Sequence, residues 1–238
     1  MGERALLSDD ARSRIKKAFE PTALALGRRG LTPNGLTLIG FGVTVVGAAL
    51  LAAQLWLLGG VVVLLGGVFD LFDGTLARAT GKVSPLGAFM DSVFDRWGET
   101  LVYLGIVVGA VSAGFPEAAV LAAAAMGAAF MVSYARAKSE GLGFSPGASM
   151  AAIGIMPREV RLVVLSLGLI VADSAAGPLV FVAEPGPTCI GSCVEAGGLV
   201  LLGALAVIAV GATITVIQRI IHVRRQADAQ QRGTGRPT

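Results

Sequence analysis

The sequence predicts an all-α integral membrane protein: six transmembrane helices after an N-terminal interfacial amphipathic helix, with both termini cytoplasmic. Three observations lead there. The 238 residues are 54% hydrophobic and 15% charged, with a mean hydropathy of +0.75, whereas soluble domains carry about 25% charged residues. From Asn34 to Phe69 no residue is charged, a run longer than the roughly 20 residues one span needs. The 19 lysines and arginines fall in blocks separated by stretches that hold none. A water-soluble enzyme is excluded, and so is a disordered chain, since this much apolar surface can be buried.

The elements follow in order. Residues 1–33 form the cytoplasmic or interfacial segment, too long and too charged at its start for a signal peptide. Ser8 caps a helix whose Ile15, Ala18 and Phe19 lie opposite Arg12, Arg14, Lys16 and Lys17, a pattern suited to an anionic membrane surface; a solvated basic tail is the alternative. The domain proper spans 34–225. The long uncharged run divides at Gly59–Gly60, giving spans at about 35–56 and 60–80. Further spans are expected at about 85–112, 116–140, 158–182 and 195–222, and residues 226–238 read as a disordered polar tail.

Seven basic residues precede the first span, and Arg78, Lys82, Arg136, Lys138, Arg158, Arg161 and Arg219 flank alternate loops. The loops near 57–60, 112–116 and 183–194 have none, so under the positive-inside rule both termini face the cytoplasm. Cys189 and Cys193 fall on the outer side, where they form either a local disulfide or two free thiols. Gly105 and Gly109 make a small-residue packing pair, within one chain or between copies.

Four carboxylates stand out. Asp70 and Asp73 lie i, i+3 near the cytoplasmic end of span two, and Asp91 and Asp95 lie i, i+4 near the start of span three, so each pair shares a helical face. A short loop joins these spans, which makes them antiparallel neighbours whose faces can meet in one cavity. An acid at mid-bilayer costs about 2.5–3.5 kcal/mol, and four together require something positive between them. Oxygen ligands without His or Cys favour Mg²⁺ or Mn²⁺, and four carboxylates can hold two such ions, an arrangement used for displacement at phosphorus. The plainer alternative is pairing with Arg78, Lys82 and Arg96. Gly74 and Gly87 argue against it, because a missing side chain beside an acid cluster lets a ligand approach the backbone. Glu99 continues the Asp91–Asp95 face and is expected to pair with a neighbouring basic residue.

Residues 70–95 fit D-x2-D-G-x2-A-R-x8-G-x3-D-x3-D at every specified position. This resembles the signature of the CDP-alcohol phosphotransferases, enzymes that displace CMP from a CDP-linked lipid by the hydroxyl of a second alcohol. The resemblance implies two Mg²⁺ or Mn²⁺ ions on Asp70, Asp73, Asp91 and Asp95, with Asp95 also the catalytic base. It implies that Gly74, Ala77, Arg78 and Gly87 shape the CDP-lipid site, which Asn34 and Thr37, from a stretch similar to the family's P-N-x2-T-x2-G, would join. Thr37 and Asn34 could equally be a helix cap and its neighbour.

Ser133 and Arg136 in Ser-Tyr-Ala-Arg-Ala-Lys, Arg158 in Pro-Arg-Glu-Val-Arg and Arg219 in Gln-Arg are similar to the acceptor-phosphate residues of bacterial phosphatidylinositol phosphate synthases. Pro157 departs from that pattern, where Glu is common, and could shift Arg158. The implied partners are CDP-diacylglycerol, inositol phosphate, membrane lipid and a second copy in a homodimer. No nucleic acid is expected. The implied place is the plasma membrane, the site facing the cytoplasm. Alternatives are a phosphatidylglycerophosphate synthase using glycerol 3-phosphate and an archaeal-lipid inositol phosphate transferase. From another class, a divalent-cation transporter would need acids on both sides of the midplane.

Overall fold

The computed structural model describes residues 20–144, 150, 153–176 and 196–234, and these contain helices and no strand. A short helix, α1 (20–28), precedes six long ones: α2 (Pro33–Ala52), α3 (Trp56–Ala79), α4 (Pro85–Ser112), α5 (Pro116–Gly141), α6 (Arg158–Ala176) and α7 (Ala196–Thr234). The expected interfacial helix over residues 8–19 and the two cysteines lie outside the described residues.

Local chemistry starts these helices. Thr32 and Ser84 accept hydrogen bonds from the Gly35 and Gly87 N–H groups (3.1 and 3.0 Å), capping α2 and α4. A proline follows each cap, at the position where its missing N–H costs nothing. By length and composition, α2, α3, α5 and α7 can each cross a membrane. In the other two the charges leave shorter uncharged stretches: Asp91, Asp95, Arg96 and Glu99 lie on α4, and Arg158, Glu159, Arg161 and Asp173 on α6. The chain is an α-helical membrane protein.

Three expectations are corrected. The first hairpin turns at Ala53–Leu55, where Gln54 takes φ 65°, and not at Gly59–Gly60. Those glycines are helical and let neighbours close in: a Cβ on Gly59 would lie 2.6 Å from a Leu51 methyl, and one on Gly60 3.1 Å from the Ser166 carbonyl. Residues 226–234, read as a disordered tail, continue α7, as a stretch rich in Ala, Gln and Arg can; residues 235–238 lie outside the described ones.

The third correction concerns topology. The long helices pack in a closed cycle, α2–α3–α6–α7–α5–α4 and back to α2. Consecutive α3 and α4 are therefore not close neighbours, because α2 lies against both. The seam between α2 and α4 is very tight. A Cβ on Gly105 or Gly109 would stand 2.3 Å from the Ala48 or Leu51 carbonyl oxygen, so this glycine pair serves packing within one chain. Beyond it a core of Trp56, Tyr103, Ile106, Leu165, Leu169, Leu201 and Leu205 fills the ring. Under α1, Ala23 packs on Leu36 and Leu76 in a smaller cluster.

Candidate active site

The C-terminal part of α3 and the starts of α2 and α4 line a cavity of about 290 Å³. Asn34, Thr37, Gly74, Ala77, Arg78 and Gly87 all line it, together with Asp73 and Asp91. The fold thus brings together every residue assigned from sequence to the CDP-lipid. Lys82 and Ser84 line it too and were not singled out for that place. The glycines keep it open. A Cβ on Gly87 would come within 3.1 Å of Asn34 Oδ1, and one on Gly74 within 3.3 Å of an Arg78 guanidinium nitrogen.

The four aspartates divide in their partners. Asp73 is buried, and the Thr37 hydroxyl donates to its Oδ2 at 2.5 Å. Thr37 is therefore a carboxylate partner within α2, well past the cap, which is Thr32. Asp91 faces the cavity with no hydrogen bond or ion pair among the described residues. Asp70 and Asp95 share one cation: Nη1 of Arg158 lies 2.7 Å from Asp70 Oδ2 and 2.8 Å from Asp95 Oδ1. Arg96 reaches the other Asp95 oxygen at 3.4 Å. Asp91 lies in the field of Asp70, and Asp95 in the fields of both.

Among the described residues no three acidic, histidine or cysteine side chains stand close enough together to hold one metal ion. The donor chemistry nevertheless suits a hard divalent cation, since every candidate ligand is a carboxylate oxygen. Two of the four already close on a positive group. The residues fit such an ion provided Arg158 gives way.

The residues assigned to the acceptor are distributed. Ser133 and Arg136 line a second cavity of about 450 Å³ between α4 and α5, with Arg96 opposite. Arg136 also pairs with Glu140 one turn on, at 3.0 Å. Arg158 opens α6 directly after Pro157, whose carbonyl accepts the Val160 and Arg161 N–H groups at 3.1 Å each. Pro157 thus sits before the helix without breaking it. Arg219 is buried and turned to the backbone, donating to the carbonyls of Val132 and Ile153.

One charged pair was only half legible. Glu99 does pair with a basic residue, but across the ring: Arg161 donates Nε to Oε1 at 2.7 Å and Nη2 to Oε2 at 2.8 Å. Arg161 is 1% exposed and also donates to the Met156 carbonyl at 3.0 Å. Two ionic rungs, Asp95–Arg158 and Glu99–Arg161, therefore join α4 to the first turn of α6. The i, i+4 acids and i, i+3 arginines hinted at matching ladders, but nothing in the sequence said that α4 and α6 face each other here.

Residues 30–215 match the family model described as CDP-alcohol phosphatidyltransferase. Among curated proteins, the chain is 36% identical to the archaetidylinositol phosphate synthase of Pyrococcus horikoshii over 65% of its own length and 77% of the relative's. It is 32% identical to the phosphatidylinositol phosphate synthase of Streptomyces avermitilis, over 94% and 85% of the two chains. Among solved structures it resembles Mycobacterium tuberculosis phosphatidylinositol phosphate synthase at 27% identity. The crystal structure with CDP-DAG bound gives a TM-score of 0.69, covering 88% of this chain and 94% of that one. The complex with manganese and citrate gives 0.67, over 85% and 87%.

Proposed function

The chain belongs to the CDP-alcohol phosphatidyltransferase family, and from that premise we propose that it transfers the phosphatidyl group of CDP-diacylglycerol to a hydroxyl of inositol phosphate. The products are phosphatidylinositol phosphate and CMP. The observation that carries the site assignment is the single cavity that gathers all six residues expected at the CDP-lipid with Asp73 and Asp91. The acceptor class rests on the named relatives, which share inositol phosphate chemistry across bacterial and archaeal lipids. The archaeal relative keeps a second reading of the lipid tail open, with the same acceptor.

In the reaction the acceptor oxygen bonds to the phosphorus that carries the diacylglycerol. The bond from that phosphorus to the CMP oxygen breaks, and CMP leaves with the bonding electrons. The acceptor proton passes to the Asp95 carboxylate, the general base. Asp70, Asp73, Asp91 and Asp95 would hold divalent metal, Mg²⁺ or Mn²⁺, in two ions; bound there, it would neutralise diphosphate charge and polarise the phosphorus. Thr37 orients Asp73, and Arg78 and Lys82 offer charge to the diphosphate at the cavity wall. Ser133, Arg136, Arg158 and Arg219 receive the acceptor's phosphate, for which the guanidinium fork is well shaped. Most of the acceleration then comes from positioning and charge stabilisation.

The same reading gives six spans, with both termini and the site on the cytoplasmic face of the plasma membrane, and a homodimer. It is tested by incubating the purified protein with CDP-diacylglycerol, Mg²⁺ and a panel of alcohols, and resolving the lipid products by thin-layer chromatography. Inositol phosphate should be the efficient acceptor. Efficient use of free inositol, or preference for glycerol 3-phosphate, overturns the acceptor assignment. Absence of metal-dependent CMP release overturns the reaction.

A further inference from the structure

Arg158 holds the place where a metal ion would have to enter. One of its nitrogens bridges Asp70 on α3 and Asp95 on α4 at 2.7 and 2.8 Å, two helices that do not pack closely on each other. A guanidinium and a divalent cation cannot both stand between those oxygens. Its seat is incompletely satisfied, because its Nε is buried without a hydrogen-bond partner among the described residues, although guanidinium offers five donors.

The backbone beneath it is anchored independently. Arg161 is locked to Glu99 and to the Met156 carbonyl. The Met156 N–H donates to Thr215 Oγ1 at 2.9 Å, and the Ile155 N–H to Gln218 Oε1 at 3.2 Å. The side chain of Arg158 can thus leave the aspartates while the helix start stays fixed. Arg96, which lies in the field of both Arg158 and Arg136, lines the second cavity. A guanidinium released from the aspartates adds a third positive charge to that neighbourhood and calls for an anion.

We infer that Arg158 is an exchangeable counter-ion: it bridges Asp70 and Asp95 until divalent metal displaces it, and the freed guanidinium then meets the acceptor's phosphate. Metal loading and phosphate binding therefore favour one another, by an equal factor in either order. The inference rests on the aspartates being the metal ligands, as proposed above.

The test is Mn²⁺ affinity of the purified protein without CDP-lipid, read from the electron paramagnetic resonance signal of free Mn²⁺, with and without inositol phosphate. In the native protein inositol phosphate should tighten Mn²⁺ binding, and Mn²⁺ should tighten inositol phosphate binding by the same factor. Arg158→Gln removes the competitor and should tighten Mn²⁺ about tenfold or more, on the scale of one charge-assisted contact, and should abolish the effect of inositol phosphate. Arg158→Lys, which keeps the charge without the fork, should fall between the two. Arg225→Gln removes an exposed charge on α7 that pairs with none of the four aspartates and should change Mn²⁺ affinity by less than about threefold.

Several results overturn the inference. They are unchanged or weaker Mn²⁺ binding in Arg158→Gln, an equal gain in Arg225→Gln, or an inositol phosphate effect that survives in Arg158→Gln. The native protein needs no variant: uncoupled binding of Mn²⁺ and inositol phosphate refutes the exchange outright. Asp70→Asn separates the two levels. If it binds Mn²⁺ as the native chain does, the aspartate reading itself falls, and the exchange with it. If it loses Mn²⁺ while Arg158→Gln changes nothing, only the exchange falls.

Discussion

Replacing Gly105 with alanine should push α2 and α4 apart. The new Cβ would lie 2.3 Å from the Ala48 carbonyl oxygen and 3.2 Å from its Cα. Relief needs a separation of about 1 Å, and because the obstacle is backbone, no rotamer change supplies it. Overpacking of this kind costs about 1–3 kcal/mol, against a gain of up to about 1 kcal/mol from removing a helical glycine. The net expectation is a loss of up to about 3 kcal/mol. Gly42 on α2, which has no atom within 4 Å of its would-be Cβ, is the internal control, and Gly42→Ala should be neutral or slightly stabilising. Thermal unfolding of the two variants in the same detergent measures the difference, at about 2–4 °C per kcal/mol for a chain of this size. Equal midpoints for Gly105→Ala and Gly42→Ala would refute the close α2–α4 seam. Unchanged unfolding with loss of a dimer would instead move Gly105 to an interface between copies.

Asp95→Asn should lose turnover while keeping much of its CDP-lipid binding; near-normal turnover at saturating metal would remove the base from Asp95. Thr37→Val deletes the donor to Asp73 and should lower kcat/KM roughly tenfold or more, with Thr37→Ser restoring most of it. Arg161→Leu leaves Glu99 without its bidentate partner and should cost about 3–5 kcal/mol, seen as loss of folded yield, whereas Arg161→Leu with Glu99→Leu should recover part of it. Cysteine labelling should reach positions near Lys82 and near the C-terminus from one side of the membrane and positions 184–194 from the other; labelling of Lys82 and 184–194 from the same side sinks the six-span arrangement.

The helix inventory was open to sequence reading because its causes are local. Proline at positions 33, 85 and 116 and caps at Thr32 and Ser84 start three helices where the apolar pattern begins. The signature spacing put Asp70 with Asp73, and Asp91 with Asp95, on common faces, since 3.6-residue periodicity needs no knowledge of a partner. The cavity that collects Asn34, Thr37, Gly74, Ala77, Arg78 and Gly87 follows from the same register once the helices are assembled.

What tertiary structure alone decided is who faces whom. Glycine serves either a turn or a close contact, and its neighbours in space, not in sequence, choose between them: Gly59 and Gly60 pack, and Gln54 turns. A short loop between α3 and α4 argued that they pack on each other, but the cyclic order places α2 against both, while their acids still converge on one cavity and one arginine. Spacing can show that Arg158 and Arg161 lie one turn apart on α6. Only the closure of the ring brings α4 opposite them, giving Asp70 and Asp95 to the first and Glu99 to the second, because an ion pair depends on a distance between helices that no single helix specifies.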